Sequence, residues 1–267
     1  MLMAVKNNFR FFLQALKVSI MSAAAYRVSF MIQTIFMFAN NSSFLIFWNV
    51  VFGINRGNLN GIEFNNILFL WSIPVISYGV TYFFFGGVVN INTFIITGQM
   101  DSYMLQPKYP LINVLTSKCN FSAFGDFIYG IVIGSIATNF DIKKILIVIF
   151  TGCFGSIFFV STEVILRSLS VWLKDTEKIA TRYNHSLLTT FSSYPEQIFS
   201  NGVKILLYTV VPVAYISYLP IKLLFHFNIQ YMMLIVTVGI IYLLIALFVF
   251  NHAMEEYESG NNISMKM

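Results

Sequence analysis

Apolar residues fall in long runs along this chain, rather than in the period-two pattern of strands or the narrow stripe of a soluble helix. About 20 mostly apolar residues are needed to carry a helix across about 30 Å of hydrocarbon. Such runs predict crossings at 28–54, 64–92, 120–139, 143–166 and 230–251, with a sixth at 203–225 that Pro212 and Pro220 interrupt. The connections are short at 55–63, 140–142 and 226–229, and longer at 93–119 and 167–202. Ahead of the first run, within 1–27, Phe9, Phe12, Leu13, Leu16 and Ile20 share one helical face, and Lys6, Arg10, Gln14 and Lys17 the other. That pattern suits a helix lying in the interface, its cations near anionic head groups, or a plain leader helix that only anchors the chain. The pattern predicts an all-α integral membrane protein: one transmembrane domain of six helices preceded by an amphipathic interfacial helix.

Composition agrees. Of 267 residues, 57% are apolar and only 10% charged, against about 25% charged in a soluble domain; too few charges remain for a solvated skin. The net charge of +5 is read as a topology signal before any nucleic-acid partner is considered. Eleven basic residues, including Lys6, Arg27, Lys108, Lys118, Arg167, Lys178 and Lys266, fall on one side of this map, and three (Arg56, Lys143, Lys144) on the other, with Lys204 and Lys222 inside the interrupted run. The positive-inside rule puts both termini in the cytoplasm of a multi-pass cell-membrane protein. Ala23-Ala24-Ala25 mimics a cleavage site, but Arg10 and Lys17 interrupt the apolar stretch a signal peptide needs, so the segment is expected to be retained. Cys119 and Cys153 fall at different depths, which argues against a disulfide.

Catalytic signatures are missing. There is no G-x-x-x-x-G-K-[ST] loop, no H-E-x-x-H and no G-x-S-x-G, and His185, His226 and His252 stand apart, so no metal site is expected. Asn41-Ser42-Ser43 matches a glycosylation acceptor but lies within the first crossing.

The connection TGQMDSYMLQPKYPLINVLTSK, Thr97 to Lys118, is more informative. Gly98 can end one helix and Asp101 is placed to cap the next. Pro107 and Pro110 then force a turn, because each lacks an N–H and disfavours the helical region for its predecessor. A short helix and a rigid bend at the membrane's inner face would suit a lever for a soluble partner; a plain amphipathic connector fits the same pattern.

Gly98-Gln99-Met100-Asp101-Ser102-Tyr103-Met104-Leu105-Gln106-Pro107, followed by Pro110-Leu111, resembles the G-x-x-D-x-x-L-x-x-P loop of type-2 ABC transporter permeases, in particular a small six-span branch. Tyr26-Arg27, Gly125-Asp126, Tyr194-Pro195 and the run Pro212-Val213-Ala214-Tyr215-Ile216-Ser217-Tyr218-Leu219-Pro220 match in order along nearly the whole chain. Gln106 stands where the branch commonly has Arg. The resemblance implies that ATP and Mg belong to a separate cytoplasmic ATPase dimer docked on the 93–119 loop through Gly98, Asp101, Tyr103, Leu105, Pro107, Lys108 and Pro110. No cofactor is then expected on this chain. It also implies a second permease, identical or related, an export direction, and a re-entrant pair of helices on the outer face from Tyr194 to Phe225 with the fifth crossing at 178–193. Hydropathy instead favours 203–225 as that crossing.

Charges at membrane depth are costly and therefore candidates for function. Asp126 and Glu163 would face a polar translocation path, or else be paired: Glu163 with Arg167 at i,i+4, and Asp126 between helices, for example with a basic residue of the partner subunit. Lys204 and Lys222 can snorkel. Gly130 and Gly134 form a G-x-x-x-G pair suited to close helix contact. An ATP-driven export permease accounts for these features together. An ion-driven carrier would often show broken helices in both halves, and here only the second half has one. A lipid-modifying enzyme would need more clustered carboxylates or histidines than Asp126 and Glu163.

Overall fold

The computed structural model describes residues 27–54, 63–173 and 176–258, with isolated positions between 12 and 21. The greater part of the expected interfacial helix at 1–27, and the residues around Arg56, Lys174 and Lys266, lie outside the described residues. Among the described residues the chain is helical and has no strand. Helix α1 is Arg27–Ile54, α2 Phe64–Phe84, α3 Ile91–Ile96, α4 Met100–Met104, α5 Pro110–Leu115, α6 Ser122–Ala137 and α7 Ile142–Ser168. Then come α8 (Thr176–Arg182), α9 (Asn201–Thr209), α10 (Leu219–Phe225) and α11 (Ile229–Glu255). Among the described residues, four helices are long and apolar enough to cross a membrane: α1, α2, α7 with its short continuation, and α11.

Helix α2 is the axis of the bundle. Its apolar window is 83% buried, against 17% for α1 and 22% for α11, whose outward faces carry Phe36, Ile54, Leu244 and Phe248 in the open. Apolar faces of that extent are stable only against lipid or another helix. Small residues let α6 and α7 close onto α2. A Cβ at Gly130 would stand 2.8 Å from the Ser72 carbonyl oxygen, and one at Gly155 2.2 Å from Ser77 Oγ. The Ser77 hydroxyl donates across the same contact to the Gly152 carbonyl at 2.8 Å. The Gly130–Gly134 pair thus packs within the subunit, against Ser72, Ile76 and Val148. Cys119 and Cys153 form no disulfide.

Two predicted spans are not single helices. The run at 64–92 stops at Phe84, turns through a 3-10 segment at Gly86–Asn90 and resumes as α3. Adjacent glycines favour a break, and the backbone of the following loop fills the space: a Cβ at Gly87 would stand 1.9 Å from the Val114 carbonyl oxygen. The run at 203–225 is two limbs bent by 84° between α9 and the segment Ala214–Phe225. Pro212 removes the N–H that would have bonded the Tyr208 carbonyl, and the carbonyls freed at the bend find tyrosines instead. Tyr215 Oη donates to Tyr208 O at 3.1 Å, Tyr183 Oη to Val210 O at 2.7 Å, and Tyr242 Oη to Thr209 O and Val210 O at 3.2 and 3.3 Å. Tyr242 is the midpoint of α11, so the bend reaches the middle of the bundle. The second limb runs toward the end where α2 begins: Phe225 packs on Phe69 at 5.8 Å, and Lys222 Nζ meets Glu196 at 2.8 Å. Lys222 therefore has an internal partner rather than only a snorkelling route.

Residues 176–192 are continuously helical, from α8 through a π-helical Tyr183–Thr189 to Ser192. They begin beside Asn92 and finish near Tyr194, whose ring lies 5.8 Å from that of Trp48. Phe12, from the expected apolar face of the leader, stacks on Phe84 and Phe85 at 6.4 and 5.9 Å.

Candidate functional site

The 93–119 connection is a bent hairpin of short helices anchored in the bundle. Gly98 ends α3 in the left-handed region, φ 75°, with its N–H on the Ile95 carbonyl at 3.3 Å; a side chain would be strained there. Asp101 does not cap α4. Gln99 occupies the N-cap position, and Asp101 lies within the first turn, where its charge favours the helix N-terminus. Met100, fully buried, sits in one cluster with Val88, Ile91, Leu111, Val114 and Phe250; burying such a side chain contributes about 1.5–3 kcal/mol. Tyr103 stacks on Phe94 at 5.0 Å. Beyond this anchor the chain turns through 105–108, and Pro110 opens α5 after an extended Tyr109, ψ 119°. At the turn Met104 is 42% and Leu105 87% exposed, with Gln106 and Pro107 also exposed.

Tyrosines tie this hairpin to the end of α11. Tyr109 Oη donates to Asn251 Oδ1, and burial raises its pKa above the ordinary value. Burial and the adjacent Asp101 carboxylate push the Tyr257 phenol up to about 12. Trp172, just past α7, donates its indole N–H to Glu256.

A buried polar cluster lies at the same end of the bundle. Glu163 and Arg167 form an ion pair with side chains 1% and 4% exposed, so the i,i+4 pairing foreseen in the sequence is present but enclosed. Tyr82 Oη donates to Glu163 Oε1 at 2.6 Å. Arg167 Nη1 donates to Asn92 Oδ1 at 3.2 Å and Nη2 to Thr181 Oγ1 at 3.4 Å, while Asn92 Nδ2 donates to Glu177 Oε2 at 3.3 Å. A cavity of about 480 Å³ opens over these groups. A second, of about 370 Å³, lies at the opposite end beside Glu196, Lys222 and His226.

This bundle, its exposed apolar loop tip and its apolar outer faces are features of a membrane component that works with something else. Residues 38–261 match the family described as ABC-2 family transporter protein. The chain belongs to that family. It is therefore an ABC transporter permease, the membrane part of a transporter whose members generally work with an ATPase subunit. No curated protein and no solved structure matches it.

In the permease, Asp126 and Glu163 have separate hydrogen-bond partners. Asp126 is buried at the junction of α6 and α1, where Asn41 Nδ2 donates to Oδ1 at 2.6 Å; its Oδ2 has no hydrogen-bond partner among the described residues. An amide of the same chain thus partners one carboxylate oxygen of Asp126. Pro212 lies at the bend and Pro220 in the first turn of α10, where its missing N–H costs little. Sequence reasoning missed Asn92, Tyr82 and Thr181 as partners of the ion pair, and Tyr183 and Tyr242 at the bend. Their spacing from those partners exceeds any local pattern.

Proposed function

We propose that this permease is the path-forming subunit of an ATP-driven exporter in the cell membrane, with both termini cytoplasmic and the 93–119 hairpin docking a cytoplasmic ATPase dimer. In this reading six segments cross: α1, α2, α6, α7, residues 176–192 and α11. Residues 201–225 then form a re-entrant hairpin from the outer face, and the leader lies along the inner surface. The path runs beside a second permease, identical or related, whose contact covers part of the exposed apolar faces. ATP and Mg are held by the ATPase, and this chain supplies no catalytic group.

The observation that supports docking is the exposed apolar tip, Met104 and Leu105, raised on a base that Met100, the Phe94–Tyr103 stack and the Tyr109–Asn251 bond hold in place. Burying an exposed Leu in a partner pocket contributes about 1.5–3 kcal/mol, and a rigid base lowers the ordering cost of binding. Pressure on the tip reaches α11 and the end of α7 through Asn251 and Glu256. The test is co-purification with an ATPase encoded beside this chain. Leu105→Asp should reduce recovery of the complex at least tenfold while the permease remains folded. Undiminished assembly by Leu105→Asp and by Met104→Asp would refute docking through this loop.

A further inference from the structure

The cavity over the Glu163–Arg167 pair has a composition that the coupling role does not use. Its floor is Tyr82, Glu163 and Arg167, all at least nine-tenths buried. Its rim is Thr93, Asn120, Glu177 and Thr181, all exposed, and Tyr78 forms a wall, its ring centroid 4.4 Å from that of Tyr82. The charges facing it are Glu163, Arg167 and Glu177. Glu163 and Arg167 neutralise one another, and each guanidinium nitrogen of Arg167 already has a partner in Glu163, Asn92 or Thr181. An incoming anion therefore finds a guanidinium already engaged. What remains is the Glu177 carboxylate, held by the Asn92 amide, on the rim of a cavity that the tilted rings of Tyr78 and Tyr82 also line.

A carboxylate set against aromatic rings selects a cation, since the ring quadrupole and the negative charge attract the same ligand. The cavity lies at the end of the bundle where the ATPase is placed above, and Val89 and the two tyrosines give its lining an apolar part. A ligand reaching it from the inner leaflet must also be apolar. We propose that this cavity is the loading site for an amphiphilic cation, an ammonium- or phosphonium-type head with an apolar body, taken from the inner leaflet or cytoplasm. The assignment names the substrate class of the exporter and rests on that reading. Glu177 supplies the charge that attracts the head, Tyr78 and Tyr82 the surface it stacks on, and Asn92 orients the Glu177 carboxylate.

The experiment measures binding of radiolabelled tetraphenylphosphonium to the purified full-length permease in nanodiscs, with empty nanodiscs subtracted. Tetraphenylborate, of the same shape and opposite charge, is the comparison. Tetraphenylphosphonium should bind saturably, Glu177→Gln should weaken it about tenfold, and Glu177→Asp should retain most of the affinity. Glu177 is on an exposed rim, so its loss should not disturb folding; Tyr78→Leu, weakening binding severalfold, tests the aromatic wall separately. Equal binding of tetraphenylborate, or unchanged affinity in Glu177→Gln, would overturn the assignment. Assembly with the ATPase is scored on the unmodified chain. Failure of cation binding in a chain that assembles removes only the substrate class, and failure to assemble removes the docking claim alone.

Discussion

Removing tyrosine hydroxyls at the bend between α9 and α10 should give non-additive losses of stability. Val210 O accepts from Tyr183 at 2.7 Å and from Tyr242 at 3.3 Å, and Thr209 O accepts from Tyr242 at 3.2 Å. Tyr183→Phe leaves each carbonyl one donor. Its cost should be near the average of about 0.6 kcal/mol for a hydrogen bond inside a membrane protein. Tyr242→Phe strips Thr209 O but leaves Val210 O to Tyr183, and should cost about 1 kcal/mol. Thr209 and Val210 are both exposed on this chain, so the double variant leaves both carbonyls bare on a surface that the proposed re-entrant placement turns to lipid, where each unsatisfied group costs at least about 1–3 kcal/mol. The double loss should therefore exceed the sum of the singles by at least about 1 kcal/mol. Unfolding in mixed micelles titrated with sodium dodecyl sulfate, followed by circular dichroism, measures all four corners of the cycle. Additivity within about 0.5 kcal/mol would mean that the two hydroxyls do not share an acceptor, and would refute this account of the bend.

Arg167→Ala leaves the Glu163 carboxylate buried with Tyr82 as its one remaining donor among the described residues, so a loss of about 3–5 kcal/mol is expected; thermal unfolding checks it, and Arg167→Lys should recover only part, because it cannot reach Glu163, Asn92 and Thr181 together. Gly130→Ala should destabilise by about 1–3 kcal/mol through overpacking against the Ser72 carbonyl, whereas Gly202→Ala, with nothing within 4 Å of the new Cβ, should stabilise α9 by up to about 1 kcal/mol; the same unfolding assay separates the two signs. Tyr257 has a pKa raised from 10.0 to about 12, so its contribution is complete below pH 10 and is lost as pH rises through about 12. The tyrosinate absorbance difference between the unmodified chain and Tyr257→Phe should appear only in that upper window, and a difference developing near pH 10 would show the phenol to be unperturbed.

Hydropathy located α1, α7 and α11 because each is a long run dominated by apolar residues, even though Gln33, Asn40, Ser43 and Asn49 interrupt the exposed face of α1. It failed at Gly86–Gly87 and at Pro212, where the chain stays apolar while the backbone changes direction. A hydropathy window does not distinguish a straight apolar helix from a bent one. At 176–192 it failed the other way: Lys178, Arg182 and His185 mask a continuous helix, and only the family resemblance pointed to it. At the candidate site, Pro107 and Pro110 made the turn legible, and i,i+4 spacing made Glu163–Arg167 legible. Asn92, Tyr82 and Thr181 join that pair from other helices, as Asn41 joins Asp126 across 85 positions, and no local pattern carries such contacts. Asp101 was misplaced by two positions, because a carboxylate serves a helix N-terminus either as a cap or from the first turn.

Helix α6 has 16 residues, about 24 Å at 1.5 Å per residue, against about 30 Å of hydrocarbon. It ends in a left-handed pair, Asn139 and Phe140, before Asp141 caps α7 and Lys143 and Lys144 follow. If this corner crosses, the lipids around it must thin or tilt to keep those lysines wet. Short-chain lipids should collect there, and the whole transporter should favour thin membranes over thick, sterol-stiffened ones.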